Sequence, residues 1–209
     1  MKFKTLIAGA LVSVALPGLA LADKGADRLT HILEPLTTYV ANFDQQILDG
    51  SGQRLQSASG RMWLARPGRF RWEVDAPYSQ VVVSDGEQVT LYDPDLEQAT
   101  VQELDERVTH TPALLLSGSA DALTENYEVS SSQRGTAETF TLTPRSADTL
   151  FETLQLTFYG ERLGGLQMTD STGQRTAIEF DSVEQNGKIA DSRFSVELPE
   201  GTDIIRDTQ

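Results

Sequence analysis

The sequence predicts a mainly β, single-domain protein in which one antiparallel sheet is curled or covered by a small amount of helix. Short segments of alternating apolar and polar residues follow one another over most of the chain, and Gly, Pro, Asp and Asn clusters separate them. A sheet with one apolar and one polar face must bury the apolar face. An N-terminal helix and two short helices are predicted, enough to cover one mouth of a curled sheet.

Residues 1–22 have the pattern of a secretory signal peptide. Lys2 and Lys4 precede an apolar run over residues 6–16, which is followed by Pro17-Gly18 and the Ala-Leu-Ala end at residues 20–22. The run is too short to span a bilayer as a helix. We therefore expect cleavage after Ala22, leaving residues 23–209 as one domain.

The composition excludes several classes of function. The 209 residues contain no cysteine, which excludes disulfides, thiolate chemistry and an acylated N-terminal cysteine of the kind that anchors bacterial lipoproteins. The net charge is −14, and removal of the two signal-peptide lysines would make it −16. Because such a chain repels polyanions and anionic lipid surfaces, we expect no nucleic-acid partner and no adsorption to anionic membranes.

The first predicted element of the mature chain is an amphipathic helix over residues 23–43. Its apolar side chains recur at helical spacing, at Leu29, Ile32, Leu33, Leu36, Tyr39, Val40 and Phe43. Pro35 lies inside this pattern and lacks a backbone donor. We therefore expect a kink or a break near Glu34.

Strands are predicted for most of the remaining chain, joined as an antiparallel meander. The clearest alternation is at residues 139–143, 154–159 and 175–182. The predicted strands are residues 43–48, 53–64, 69–75, 80–84, 88–92, 98–103, 127–132, 139–143, 154–159, 165–170, 175–182 and 193–197.

Two short helices are predicted to interrupt the strands, at residues 111–118 and 119–123. Thr111 is a suitable N-cap, Pro112 suits the first helical position and Gly118 suits the end. Together with the first helix they could cover one end of the sheet.

No residue pattern supports an enzyme. His31 lies on the first helix and His110 precedes the first short helix, and neither has a nucleophile or metal context. Asp93, Asp95 and Glu97 alternate as in a calcium loop, but Gln98 stands where that loop needs glycine, so a turn between strands is the simpler interpretation. We therefore expect no catalytic residue, no metal and no cofactor.

The segment RPGRFRW at residues 66–72 joins a turn to an alternating aromatic strand. Phe70, Trp72 and Val74 share one face of this strand. That face could be ordinary core or could line a ligand cavity. Arg66, at the strand end, would ordinarily be a solvated surface charge.

The chain resembles the LolA family of periplasmic outer-membrane lipoprotein carriers. The likeness extends over essentially the whole mature chain and consists of an ordered set of motifs: RPGRFRW at 66–72, APY at 76–78, VSDG at 83–86, LYDPDLEQAT at 91–100 and TPALLL at 111–116.

The resemblance implies an incomplete antiparallel β-barrel of about eleven strands with an N-terminal helix and short helices forming a lid over an apolar cavity. It implies a monomeric carrier that accepts lipoproteins from an ATP-driven (ABC-type) release complex of the inner membrane and hands them to an outer-membrane acceptor. Arg66 occupies the position of the family arginine that holds the lid closed, which we call the lid latch. Residues expected to contact acyl chains are Phe70, Trp72, Val74, Leu91, Leu114, Leu115 and Leu116.

Two residues depart from the family pattern. Thr90 stands where many members have tryptophan, and Pro35 is an uncommon feature of the first helix. Three other interpretations remain open: a periplasmic carrier of another lipid, the acceptor of the same pathway, which the missing cysteine disfavours, and an enzyme of the cell envelope.

Overall fold

The structure, a computed structural model, describes residues 19–104, 112–146, 149 and 151–207. Most of the predicted signal peptide, together with His110 and Thr111, lies outside these residues. A single 12-stranded sheet forms the body of the protein, with strand order β12-β6-β5-β4-β3-β2-β1-β11-β10-β9-β8-β7. The edge strands β12 and β7 are not paired with each other, so the sheet curls as an open, barrel-like structure. No described helix is both long and apolar enough to cross a membrane.

The order of helices and strands follows the predicted order closely. The helices are α1 (Leu19–Leu33) and α2 (Ala120–Asn126), with two 3₁₀ helices, η1 (Pro112–Ser117) and η2 (Asp191–Phe194). The strands are β1 (Thr38–Leu48), β2 (Arg54–Ala65), β3 (Arg69–Ala76), β4 (Gln80–Asp85), β5 (Gln88–Asp93), β6 (Gln98–Glu103), β7 (Tyr127–Arg134), β8 (Ala137–Pro144), β9 (Thr153–Tyr159), β10 (Arg162–Thr169), β11 (Arg175–Gln185) and β12 (Asp203–Asp207). The two short helices predicted between strands correspond to η1 and α2.

The first helix is shorter than predicted, because α1 ends at Leu33 and the chain enters β1 at Thr38. Pro35 has no backbone N–H to continue the helix, so the expected break occurs there. Residues 38–43 are strand rather than helix. Tyr39, Ala41 and Phe43 alternate onto one face of the sheet, while Val40 packs on the other face.

The predicted strand at residues 193–197 is wrong, and a strand near the C-terminus was not predicted. Residues 191–194 form η2, and the twelfth strand is β12, which pairs parallel with β6 (Ile204 opposite Ala99). The other neighbouring pairs of the sheet are antiparallel, as predicted. Parallel strands cannot be joined by a tight turn, and the chain between β6 and β12 includes β7 to β11, with η2 in the final connection from β11 to β12.

The core lies between the inner face of the sheet and the helices. Both halves of the sheet contribute to one apolar cluster, as with Phe70 of β3 and Phe158 of β9, both fully buried. Leu29 and Leu33 of α1 and Leu123 of α2 belong to the same cluster. The helices α1, η1 and α2, which we call the lid, therefore pack directly onto the inner face.

The outer face carries a second, smaller cluster. Val40 and Trp63 pack with Phe194 of η2 on the side of the sheet away from the lid. The guanidinium groups of Arg61 and Arg193 lie 5.1 and 4.9 Å from the Trp63 ring centroid. This packing of Phe194 explains why residues 193–197 alternate in sequence without pairing as a strand.

Candidate functional site

The turn between β2 and β3 positions the side chain of Arg66. The peptide bond between Arg66 and Pro67 is cis, and Gly68 adopts a φ of 71°. A Cβ atom at residue 68 would lie 2.9 Å from the Cα of Gly86, so the close approach of two turns requires glycine at this position. Ser84 donates its hydroxyl to the carbonyl of Gly68 at 2.7 Å and fixes the turn from the next strand.

Arg66 contacts two parts of the lid at once. Its Nε donates to the carbonyl of Leu116 at 3.0 Å, and its Nη1 donates to the carbonyl of Leu33 at 2.6 Å. Leu33 is the last residue of α1, and Leu116 lies in the last turn of η1. These are helix-terminal carbonyls that lack partners within their own helices. One guanidinium therefore joins the ends of two lid helices to the sheet.

Burial destabilises the charged form of the Arg66 guanidinium relative to that of a surface arginine. Desolvation lowers the pKa of Arg66 to about 10, so the group is still charged at neutral pH. Its Nη2 atom is buried without a hydrogen-bond partner among the described residues. The salt bridges of the described residues involve Arg28, Arg69 and Arg71 and not Arg66. Within the part of the chain that the structure describes, the arginine is thus held by carbonyl oxygens and not by a carboxylate.

A second contact attaches η1 to the same turn. The backbone N–H of Gly68 donates to the carbonyl of Ser117 at 2.9 Å, and the hydroxyl of Ser117 donates to the carbonyl of Leu114 at 2.7 Å. The end of η1 is therefore attached to the β2–β3 turn through both Arg66 and Gly68.

The side chains predicted to contact acyl chains lie together on the inner face. Leu114, Leu115 and Leu116 of η1 are buried in the same cluster as Phe70 and Trp72 of β3. Val74 and Leu91 are partly buried and pack against that cluster. In this structure the lid leucines occupy the space above the aromatic face.

Aromatic stacking defines the centre of the inner face. The rings of Phe43 and Trp72 are stacked with centroids 3.5 Å apart, and the Phe70 centroid lies 6.2 Å from that of Trp72. Gly60 of β2 makes this arrangement possible, because a Cβ there would overlap the carbonyl oxygen of Glu73 and lie 2.8 Å from Phe43. The register of β2 and β3 shifts at Gly60, which marks a bulge.

A pocket of about 320 Å³ opens on the inner face at the end farthest along the strands from Arg66. It lies where β1 ends and β2 begins, and Trp72 forms part of its wall. Its lining residues are Gln45, Ile47, Gln56, Ala58, Trp72, Val74, Pro77, Tyr78, Ser79, Gln80, Asp93 and Thr176. Sequence reasoning missed this pocket, since its polar residues come from separate segments of the chain.

The residues weighed above for catalysis and calcium binding lie on a helix surface and in a turn. His31 is exposed on α1, and Asp93 accepts backbone N–H groups of Asp95 and Leu96 at 3.0 and 3.1 Å in the turn after β5. This is the turn that the sequence indicated in place of a calcium loop. Among the described residues, no three potential metal ligands of the His, Cys, Asp or Glu type lie together.

Comparison of the chain with known proteins gives a consistent result. The model of the family described as outer membrane lipoprotein carrier protein LolA matches residues 34–197. An outer-membrane lipoprotein carrier protein of Chromohalobacter salexigens is 69% identical over 196 residues, which is 93% of each chain. One from Pseudomonas fluorescens is 46% identical over 204 residues, 94% of this chain and 99% of the relative.

The fold is also similar to that of a solved structure. The crystal structure of a LolA-superfamily protein from Nitrosomonas europaea matches with a TM-score of 0.50 at 10% identity, covering 82% of this chain and 98% of that one. At that identity the likeness concerns the fold alone. The lid-covered apolar face, the family match over residues 34–197 and the identity to curated carriers together show that the chain belongs to the LolA family of outer-membrane lipoprotein carrier proteins.

Proposed function

We propose that this protein is a periplasmic chaperone that carries lipoproteins from the inner membrane to the outer membrane, with their acyl chains on the inner face of its sheet. One observation carries the proposal: an extensive apolar face is covered by helices, and one arginine in the β2–β3 turn contacts the ends of two of them. A lid attached at its helix ends can open and close again without disturbing the sheet. Membership of the carrier family supports the same role.

The energetics of the cargo explain why a cover is needed. Each methylene taken out of water is worth about 0.8 kcal/mol, so several long acyl chains do not cross an aqueous compartment unshielded. Transfer from a bilayer to an apolar cavity exchanges one hydrocarbon environment for another and is nearly neutral. Small differences in contact energy then decide the direction of transfer.

Room for the chains comes from lid displacement. The pocket of about 320 Å³ is at the lower end of the range of roughly 300–1,000 Å³ for small-ligand sites. Several acyl chains need more space than that, and the lid leucines fill the neighbouring volume. In our proposal cargo replaces Leu114, Leu115 and Leu116 against Phe70, Trp72, Val74 and Leu91.

Arg66 acts in this proposal as the lid latch, the contact that favours the closed state. A hydrogen bond to a charged donor contributes about 1.5–3 kcal/mol, and Arg66 makes two to lid carbonyls. Closing the lid regains these bonds and expels cargo. The carrier therefore binds lipoprotein weakly enough to pass it to a tighter acceptor.

The partners and compartment follow from the same role. The protein would receive lipoproteins from an ABC-type release complex and deliver them, as a monomer without lipid anchor, to an outer-membrane acceptor. The signal-peptide pattern at residues 1–22 and the absence of cysteine support a periplasmic, unanchored carrier. The role needs no catalytic group.

Depletion of the protein in cells tests the function. We expect lipoproteins destined for the outer membrane to accumulate in the inner membrane, measured by membrane fractionation, and to recover when the wild-type chain is restored. Unchanged lipoprotein distribution, with another lipid accumulating instead, would contradict the lipoprotein role and favour a carrier of that lipid.

A further inference from the structure

We propose that the pocket at the end of the inner face far from Arg66 binds the uncharged ester and amide groups that join the acyl chains of a lipoprotein to its N-terminal cysteine, and that it selects against phosphate headgroups. The proposal rests on the carrier function above and adds a polar subsite to it. The pocket is a defined cavity of about 320 Å³ that the lid leaves open.

The lining chemistry matches neutral carbonyl compounds. Three glutamines, Gln45, Gln56 and Gln80, line the pocket, and three hydroxyl residues join them: Tyr78, Ser79 and Thr176. Each amide offers two N–H donors and one carbonyl acceptor. Ester carbonyls need donors and the amides of a peptide need both, so this set can satisfy them without any charge.

The charge of the lining disfavours anions. Among the described residues that line the pocket, Asp93 is the one Asp, Glu, Lys, Arg or His, so the lining offers an anion no cation. A phosphate placed in the pocket would lose its hydration without gaining a cation, which is costly. The net charge of −14 for the whole chain adds repulsion of the same sign.

The pocket is continuous with the surface proposed for the acyl chains. Trp72 lines the pocket and also stacks on Phe43, while Val74 lines it and packs against the main apolar cluster. Chains that lie under the lid would therefore lead directly to the amide-lined end. Phospholipids, with similar chains but an ionised headgroup, would meet Asp93 and the uncharged amides there.

A matched pair of charge substitutions on β1 tests the selection. Gln45 lines the pocket, whereas Gln46 is exposed on the opposite face of the same strand. The probes are a synthetic triacylated-cysteine lipopeptide with an uncharged peptide and dipalmitoyl phosphatidylglycerol, each titrated into the purified protein. We expect the wild type to bind the lipopeptide at least tenfold more tightly than the phospholipid.

Gln45→Lys should raise the affinity for phosphatidylglycerol about tenfold, or about 1.4 kcal/mol, whereas Gln46→Lys should leave it unchanged. If the two lysines change phosphatidylglycerol affinity equally, or if neither changes it, the subsite is overturned. Binding of the lipopeptide by the wild type would in that case still support the carrier function. A wild type that does not bind the lipopeptide would overturn both. If Gln45→Lys does not fold, Asp93→Asn, which keeps the turn acceptor, should raise phosphatidylglycerol affinity about threefold, and no rise would overturn the subsite.

Discussion

Replacement of Arg66 by leucine should convert the carrier into one that binds lipoprotein but releases it slowly. In the closed lid the two hydrogen bonds from Arg66 together contribute about 3–6 kcal/mol. The lowered pKa, about 10 instead of 12.5, corresponds to an opposing desolvation cost of about 3 kcal/mol. The net bias toward closure is then between about 0 and 3 kcal/mol, and its midpoint of about 1.5 kcal/mol corresponds to about tenfold in population. Leucine removes it and leaves the Leu33 and Leu116 carbonyls without these donors.

The assay is transfer of a bound lipoprotein to the purified outer-membrane acceptor, with hydrogen exchange of the lid amides at residues 113–118 as the structural readout. We expect Arg66→Leu to lower the equilibrium constant for transfer about tenfold and to exchange these amides faster. Arg61→Leu is the matched control, because Arg61 lies on the outer face of β2, the strand that leads into the Arg66 turn, over Trp63. Transfer by Arg66→Leu at the wild-type rate would refute the latch.

Three further predictions concern the framework of the site. Gly60→Ala, whose Cβ would overlap the Glu73 carbonyl oxygen, should cost about 3 kcal/mol and lower the Tm by about 6–12 °C, whereas Gly187→Ala, with open space around it, should change the Tm by about 1 °C. Phe194→Ala should cost about 3 kcal/mol in urea unfolding because its ring is buried on the outer face, and a loss below about 0.5 kcal/mol would contradict that packing. Backbone N–H bonds from Gln88 and Glu87 lower the pKa of Asp85, so this carboxylate stabilises the fold above its unfolded pKa of about 4 and stops doing so as the pH falls through the folded value. Asp85→Asn should therefore lose less Tm than the wild type between pH 5 and pH 3, and an equal loss would contradict it.

Local patterns predicted most of the sheet because each strand buries one face. Phe140 and Leu142 alternate with polar residues in β8, and both are fully buried. The same patterns gave a wrong helix where apolar residues fit both the helical and the strand period. Leu36, Tyr39, Val40 and Phe43 fit a helix, yet the structure uses Tyr39 and Phe43 on the inner face and Val40 on the outer one.

The C-terminal segment was mispredicted for a different reason. Arg193 and Phe194 alternate as in a strand, but they pack onto the outer face against Trp63, which only tertiary structure reveals. β12 is short and charged, and its two isoleucines remain partly exposed at 44% and 45%. Such an edge strand has almost no sequence signal.

The sequence pointed to the residues of the candidate site but did not reveal which atoms they contact. The alternation placed Phe70 and Trp72 on one face, whereas Arg66 was singled out by the resemblance to the family and would otherwise have been taken as a surface charge. The carbonyls that Arg66 reaches belong to backbone atoms of Leu33 and Leu116, and any residue could supply a carbonyl. The amide-lined pocket likewise depends on the sheet bringing distant glutamines together.

The lid that packs onto the inner face has a consequence for the behaviour of the empty carrier in solution. The rings of Phe43, Phe70 and Trp72 would form an extended apolar surface if the lid left without cargo. Surfaces of that kind promote self-association, and an exposed sheet face adds to the risk. In the proposed mechanism the lid leucines therefore serve as an internal substitute for acyl chains, and they protect the protein from aggregation between one delivery and the next.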